Sequence, residues 1–287
     1  MSGPIAATTA DGSRLHLQHG PIDLIIEAWG EPMEVADAYR RAWERFQPLL
    51  DELVAELPSL RRPLDLALDR PSGRVARRMG TAVQPFADRF ITPMAAVAGA
   101  VADEICAEMV VGGDLRRAYV NDGGDIAFHL SPGETFDVGL VPVPHRPALL
   151  GKMTVSAGEP IRGVATSGRH GRSFSLGIAE AVTVLAADAA RADAAATLIA
   201  NAVDLPGHPA IRRVPASELQ PDTDLGTRLV TTEVGPLTPG DVERALAAGV
   251  EEAERMRSDG LIAAAVLCLN DQVAAVPTPV LASADGR

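Results

Sequence analysis

A chain of 287 residues that is 47% hydrophobic and 22% charged is long enough for a large core and too apolar for disorder. Its 26 Lys and Arg stand against 38 Asp and Glu, and the net charge of -12 repels a phosphate backbone over most of the surface, which argues against nucleic acid as a partner. No apolar run approaches the roughly 18 to 20 residues of a bilayer span, Met1 to Gly12 lacks a signal pattern, and Cys106 and Cys268 sit far apart in apolar segments without metal-ligand spacing. These features predict a cytoplasmic protein with no membrane partner and unpaired core thiols.

Along the chain, residues 1–12 and 278–287 read as flexible tails. Ile22 to Trp29 reads as a strand. From Met33 to Leu57 the apolar residues recur at three and four, the helical period, and Pro48 divides the segment. Arg61 to Arg74 reads as a connector and Val75 to Phe86 as a second helical segment. Met94 to Val111 is almost all small and apolar, with only Asp103, Glu104 and Glu108 charged, and predicts a helix buried on most sides and closed by Gly112-Gly113.

Short strands follow at Tyr119-Val120, Ile126 to Leu130, Phe136 to Val141, Met153 to Ser156, Val164 to Thr166 and Glu180 to Ala187, and then a helix over Ala192 to Val203. Asp204 to Gly226, with four prolines, reads as irregular; Arg228 to Val234 is a strand, Asp241 to Arg257 a helix and Leu261 to Leu269 a strand. The fold class this predicts is α+β, a layered α/β arrangement of mixed, largely antiparallel sheets packed with a few long helices, in a single domain over 1–287.

Chemistry concentrates in three places. The turn Thr166-Ser167-Gly168-Arg169-His170 holds two hydroxyls, a planar anion-binding guanidinium and an imidazole. His170, flanked by Arg169 and Arg172, should favour its neutral form, which suits a general base. Asp193 and Thr197, at i and i+4, share a face in the first turn of the predicted helix and offer oxygens to a hard cation such as Mg²⁺. Their bland reading is a first-turn aspartate favoured by the helix dipole and a threonine bonded back to the preceding turn. Asn121-Asp122-Gly123-Gly124-Asp125 is a turn by composition, and its glycines also permit close approach of a ligand.

Asn121 to Ile126, Ala165 to Gly168, Ala181 to Val184 and Ala192 to Thr197, in that order, resemble the motifs of the ApbE-like superfamily, whose best-known members are FAD:protein FMN transferases. Pro93 to Ala100 and Ser173 to Gly177 resemble a shorter, functionally uncharacterised branch of it. The resemblance implies Asp193 and Thr197 as metal ligands and FAD or FMN as the bound flavin.

Three readings of function follow. One is cation-dependent cleavage or transfer on a small anionic ligand such as a flavin nucleotide, with Arg169, Thr166, Gly168 and the Asn121 to Asp125 turn positioning it. Another is a metal-independent hydrolase of a small amide or heterocyclic metabolite, with Ser167 as nucleophile and His170 as base. The third is a ligand-binding protein without chemistry. Homo-oligomerisation is compatible with all three.

Overall fold

The computed structural model describes residues 3–65, 71–140 and 151–277. They fall into two compact units. The first takes the described residues up to Phe136 with Val155–Ala165 and Ala186–Ala194; the second takes Asp137–Thr154, Thr166–Leu185 and those from Ala195 onward.

The first unit begins with β1 (Ile5–Thr8), β2 (Arg14–His19) and β3 (Ile22–Trp29), then α1 (Pro32–Phe46), α2 (Leu49–Leu60) and α3 (Arg74–Val83). A 3₁₀ turn at Pro93–Ala96 leads into α4 (Val97–Val110), followed by β4 (Arg117–Asp122), β5 (Asp125–Leu130) and β8 (Gly163–Ser167). β1 to β5 pair in sequence and β8 pairs with β5, every one of these pairs antiparallel. Strict alternation on β3 sends Ile22, Leu24, Ile26 and Ala28 into the core while the intervening side chains stay partly exposed. α4 packs against α1, α3, β4 and β5, and its small apolar residues are buried on most faces as expected.

Residues 5–8, inside the stretch read as a tail, form a strand held by β2. The segment beyond Pro277 lies outside the described residues, as do parts of the Arg61 to Arg74 connector and of the expected Phe136 to Val141 strand. The long helical period from residue 33 is split on either side of Pro48, which has no amide to continue an i to i−4 ladder.

In the second unit β6 (Thr135–Leu140) pairs with β7 (Gly151–Ser156). β9 (Ala181–Ala186) pairs antiparallel with β12 (Ala264–Leu269), and β12 with β13 (Gln272–Val276). α5 (Ala189–Ala202) enters this unit at Ala195, and α7 (Pro239–Ser258) packs on β12 and β13. The stretch expected to be irregular contains β10 (Ile211–Pro215) and α6 (Ala216–Leu219); β10 pairs with β11 (Leu229–Val234) in its own two-stranded ribbon. Both cysteines are buried and unpaired. No helix among the described residues is long and apolar enough to cross a membrane. The architecture is mixed α+β with largely antiparallel sheets, as the pattern of short strands and long helices predicts.

Candidate ligand and metal site

α5 begins at Ala189, three residues earlier than the apolar pattern indicates, so Asp193 lies just beyond its first turn rather than in it. The reason is the way its opening amides are satisfied. Asp188 Oδ1 accepts from Arg191 N at 2.8 Å, and the carboxylate of Asp103, buried on α4, accepts from Ala189 N and Ala190 N at 3.0 and 2.9 Å. The reverse contact closes the exchange: Asp193 Oδ2 accepts from Gly99 N in the first turn of α4 at 3.1 Å, with the Ala98 amide a further donor to the same carboxylate. Each helix therefore caps the other's N-terminus with an aspartate, placing negative charge where the backbone dipoles favour it.

Burial pushes the Asp103 carboxyl up to about 7, and the neighbouring Asp188 charge adds to this, against the amides of Ala189 and Ala190 and the Arg78 guanidinium. In the unfolded chain an aspartate titrates near 3.8, so between that value and about 7 the folded state binds the extra proton. The stability this group confers is full below about pH 4 and is lost as pH rises through about 7, with a slope of up to about 1.4 kcal/mol per pH unit. Urea unfolding across that range should show the decline, and Asp103→Asn should flatten it. An equal slope in the variant would assign the decline to another group.

Asp193 is also raised above the ordinary carboxylate range, first by burial, then by the Asp125 charge and, less, by Asp122, against the amides of Gly99 and Ala98. Asp122 and Asp125 are directly opposed at the ends of β4 and β5. Gly123 and Gly124, at φ 65° and 116°, make the two-residue turn between them, a conformation that side-chain-bearing residues rarely adopt. Asn121 Oδ1 accepts from Gly124 N at 2.8 Å, so that side chain serves the turn. The structure thus gathers the Asn121 to Asp125 turn and Asp193 into one acidic neighbourhood of the first unit. Among the described residues no three His, Cys, Asp or Glu side chains converge at metal-binding distance. Thr197 follows one turn after Asp193 on α5, half-buried.

In the second unit, Thr166 Oγ1 and Thr183 Oγ1 of β9 lie 2.9 Å apart, the latter buried. Gly168 runs so close to β9 that a Cβ there would meet the Glu180 carbonyl oxygen at 2.3 Å. Arg169 N donates to Ala179 O at 2.9 Å, and Gly171 N to Gly168 O at 3.0 Å, which folds the loop back on itself. Arg169 Nη2 donates to Glu180 Oε1 at 3.2 Å, while its Nε is buried with no hydrogen-bond partner among the described residues. Ser167 is half-buried and His170 exposed, on either side of the turn at Gly168. Ser173 to Gly177 is held by structure. Leu176 N donates to Asn201 Oδ1 at 3.0 Å, and a Cβ on Gly177 would meet Ala200 O at 2.3 Å.

Sequence reasoning missed Asp103, Asp188, Glu180 and Thr183 as neighbours of these groups. Asp103 carried a signal, a charge in an otherwise apolar helix; the others are ordinary polar residues until the strands are paired.

A sequence profile for the family described as AbpE bacteria matches residues 6–275. The UPF0280 protein of Methanopyrus kandleri is 40% identical over 128 residues, covering 44% of this chain and 48% of that protein. The UPF0280 protein of Methanothermobacter thermautotrophicus is 33% identical over 62% of this chain and 61% of its own length, and that of Methanothrix thermoacetophila 33% identical over 64% and 75%. The chain therefore spans about half to three quarters of the curated relatives it matches. Among solved structures, the ApbE protein of Thermotoga maritima aligns with TM-score 0.48 at 14% identity, over 91% of this chain and 96% of that one. The apo flavinyl transferase ApbE of Pseudomonas stutzeri aligns with TM-score 0.43 at 14% identity, over 96% and 94%. With its profile match running almost end to end and its UPF0280 relatives at a third or more identity, the chain belongs to the AbpE bacterial family, an uncharacterised branch of the ApbE-like superfamily.

Proposed function

We propose that this chain is an ApbE-like enzyme that cleaves or transfers on a flavin nucleotide, FAD, in a Mg²⁺-dependent reaction. Family membership supports the class of activity. The observation that carries the cation is the Asp193 carboxylate, raised by burial and crowded by Asp125 and Asp122, a concentration of negative charge that a divalent ion relieves. Asp193 and the Thr197 hydroxyl would hold the ion. Bound there, it supplies positive charge against phosphate oxygens.

Arg169 supports the anionic ligand. Its buried Nε lacks an acceptor, and an arginine donor without one is costly unless a ligand oxygen completes it. Thr166 and Gly168 beside Arg169, and in the first unit the Asn121 to Asp125 turn, carry the motifs that support ligand binding within each unit. In hydrolysis, water attacks the diphosphate, one P–O bond breaks, and FAD yields FMN and AMP; in transfer, an acceptor hydroxyl replaces water and loses its proton.

The test is incubation of the full chain with FAD and Mg²⁺, with and without EDTA, and chromatographic separation of FMN and AMP. Stoichiometric AMP release that EDTA abolishes is the expected result; unchanged FAD after long incubation, both alone and with candidate acceptor peptides, overturns it. Arg169→Met should weaken FAD binding about tenfold, roughly 1.4 kcal/mol, as read by flavin fluorescence.

A further inference from the structure

The first unit holds a cavity of about 420 Å³ lined by Arg74, Arg77, Arg78 and Arg191; it borders the α5 cap through Asp103 and Asp188 and includes none of the residues assigned above to the flavin or the cation. Its volume lies in the range of small-molecule sites. Three of the four arginines come from α3 at i, i+3 and i+4, so their charges share one helix face, and they occupy its N-terminal half, where the backbone dipole disfavours cations.

The carboxylates nearby are already committed. Glu104, fully buried, takes Arg45 at 2.7 Å, Arg74 at 2.9 Å and Arg78 at 3.1 Å. Asp103 takes two amides of α5, and Asp188 takes the Arg191 amide and its guanidinium at 3.2 Å. Donors remain in excess, since each guanidinium carries five N–H groups. Arg78 engages Glu104 through Nε and Arg191 engages Asp188 through Nη1, and both side chains are more than a third exposed.

We propose that this cavity is a second anion site, which binds a diphosphate group, free or carried on a nucleoside, between the α3 arginines and Arg191. Guanidinium forks match phosphate oxygens two at a time, and a diphosphate offers enough oxygens for several forks at once. Its binding supplies acceptors to guanidinium N–H groups beyond those the carboxylates engage.

Equilibrium dialysis of the full chain against inorganic pyrophosphate at fixed ionic strength tests this, with ADP as competitor to separate a free from a nucleoside-borne diphosphate. Arg77 and Arg191 are exposed, so Arg77→Ser with Arg191→Ser leaves the Glu104 cluster intact, and circular dichroism checks the fold. Saturable pyrophosphate binding that weakens at least tenfold in this double variant and is unchanged in Asp193→Asn is the expected result. Absence of saturable binding by the unmodified chain, equal binding by the double variant, or loss of binding in Asp193→Asn each overturns the proposal. The last outcome alone would move pyrophosphate to the site around Asp193, so the two sites fail separately.

Discussion

Replacing Glu104 with Ala is expected to lower the unfolding free energy by about 3–5 kcal/mol, among the largest effects of any single change in this chain. Its side chain is fully buried, and burial pushes its carboxyl up, yet Arg45, Arg78 and Arg74 hold it below the ordinary carboxylate range. Arg45 is itself only 10% exposed, with Glu52 at 2.7 Å as its other partner. Truncation leaves that guanidinium short of charge in a place where water compensates poorly. Because the folded pKa of Glu104 is depressed, its contribution is complete above the carboxylate range and is lost as pH falls through the folded value. Urea unfolding checks the prediction, and a double-mutant cycle with Arg45→Met separates the pair from packing. A loss under about 1 kcal/mol would mean that the cluster behaves as an exposed one.

Gly99→Val should destabilise the chain by about 3 kcal/mol or more. A Cβ at Gly99 would lie 2.2 Å from Ala189 O and 2.7 Å from Ala190 N, both backbone atoms, so no side chain can turn aside. The helices must separate, and the reciprocal aspartate caps separate with them. Gly158→Ala is the contrast, since nothing lies within 4 Å of a Cβ there, and its effect should stay within about 0.5 kcal/mol. Comparable thermal melts for the two variants would contradict the tight crossing.

Elements with strong local patterns were legible from residues alone. β3 alternates without interruption, the helix from residue 33 breaks at Pro48, and α4 is uniformly small and apolar with its end at Gly112, where φ is 65°. β2 escaped because its inward side chains are only Leu15, Leu17 and His19 among polar neighbours, a weak alternation that pairing with β3 makes decisive. β13 carried a signal that went unread: Asn270 and Asp271, at φ 47° and 60°, make the tight turn that returns the chain along β12. Prolines hid β10, whose last residue is Pro215, a position the ribbon tolerates at its end.

For the site, spacing alone placed Asp193 and Thr197 on one helix face. It did not show that the Asp193 carboxylate reaches the amide of Gly99, or that Asp122 and Asp125 crowd it. Those are contacts across more than 60 residues of sequence, and no local period encodes them. The same holds for Asp103, whose charge in an apolar helix was visible while its destination, the first amides of α5, was not.

The claim on which the proposed function turns is that the Asp193 carboxylate serves a cation as well as a helix end. Thermal unfolding with increasing Mg²⁺, in the presence of FAD, tests it in the unmodified chain and in Asp193→Asn, which keeps an acceptor for the Gly99 amide while removing the charge. The account predicts a melting temperature that rises with Mg²⁺ in the unmodified chain and is flat in the variant, with little difference between the two when metal is withheld. No Mg²⁺ response in the unmodified chain, or the same response in both, would contradict it and leave Asp193 as a cap alone.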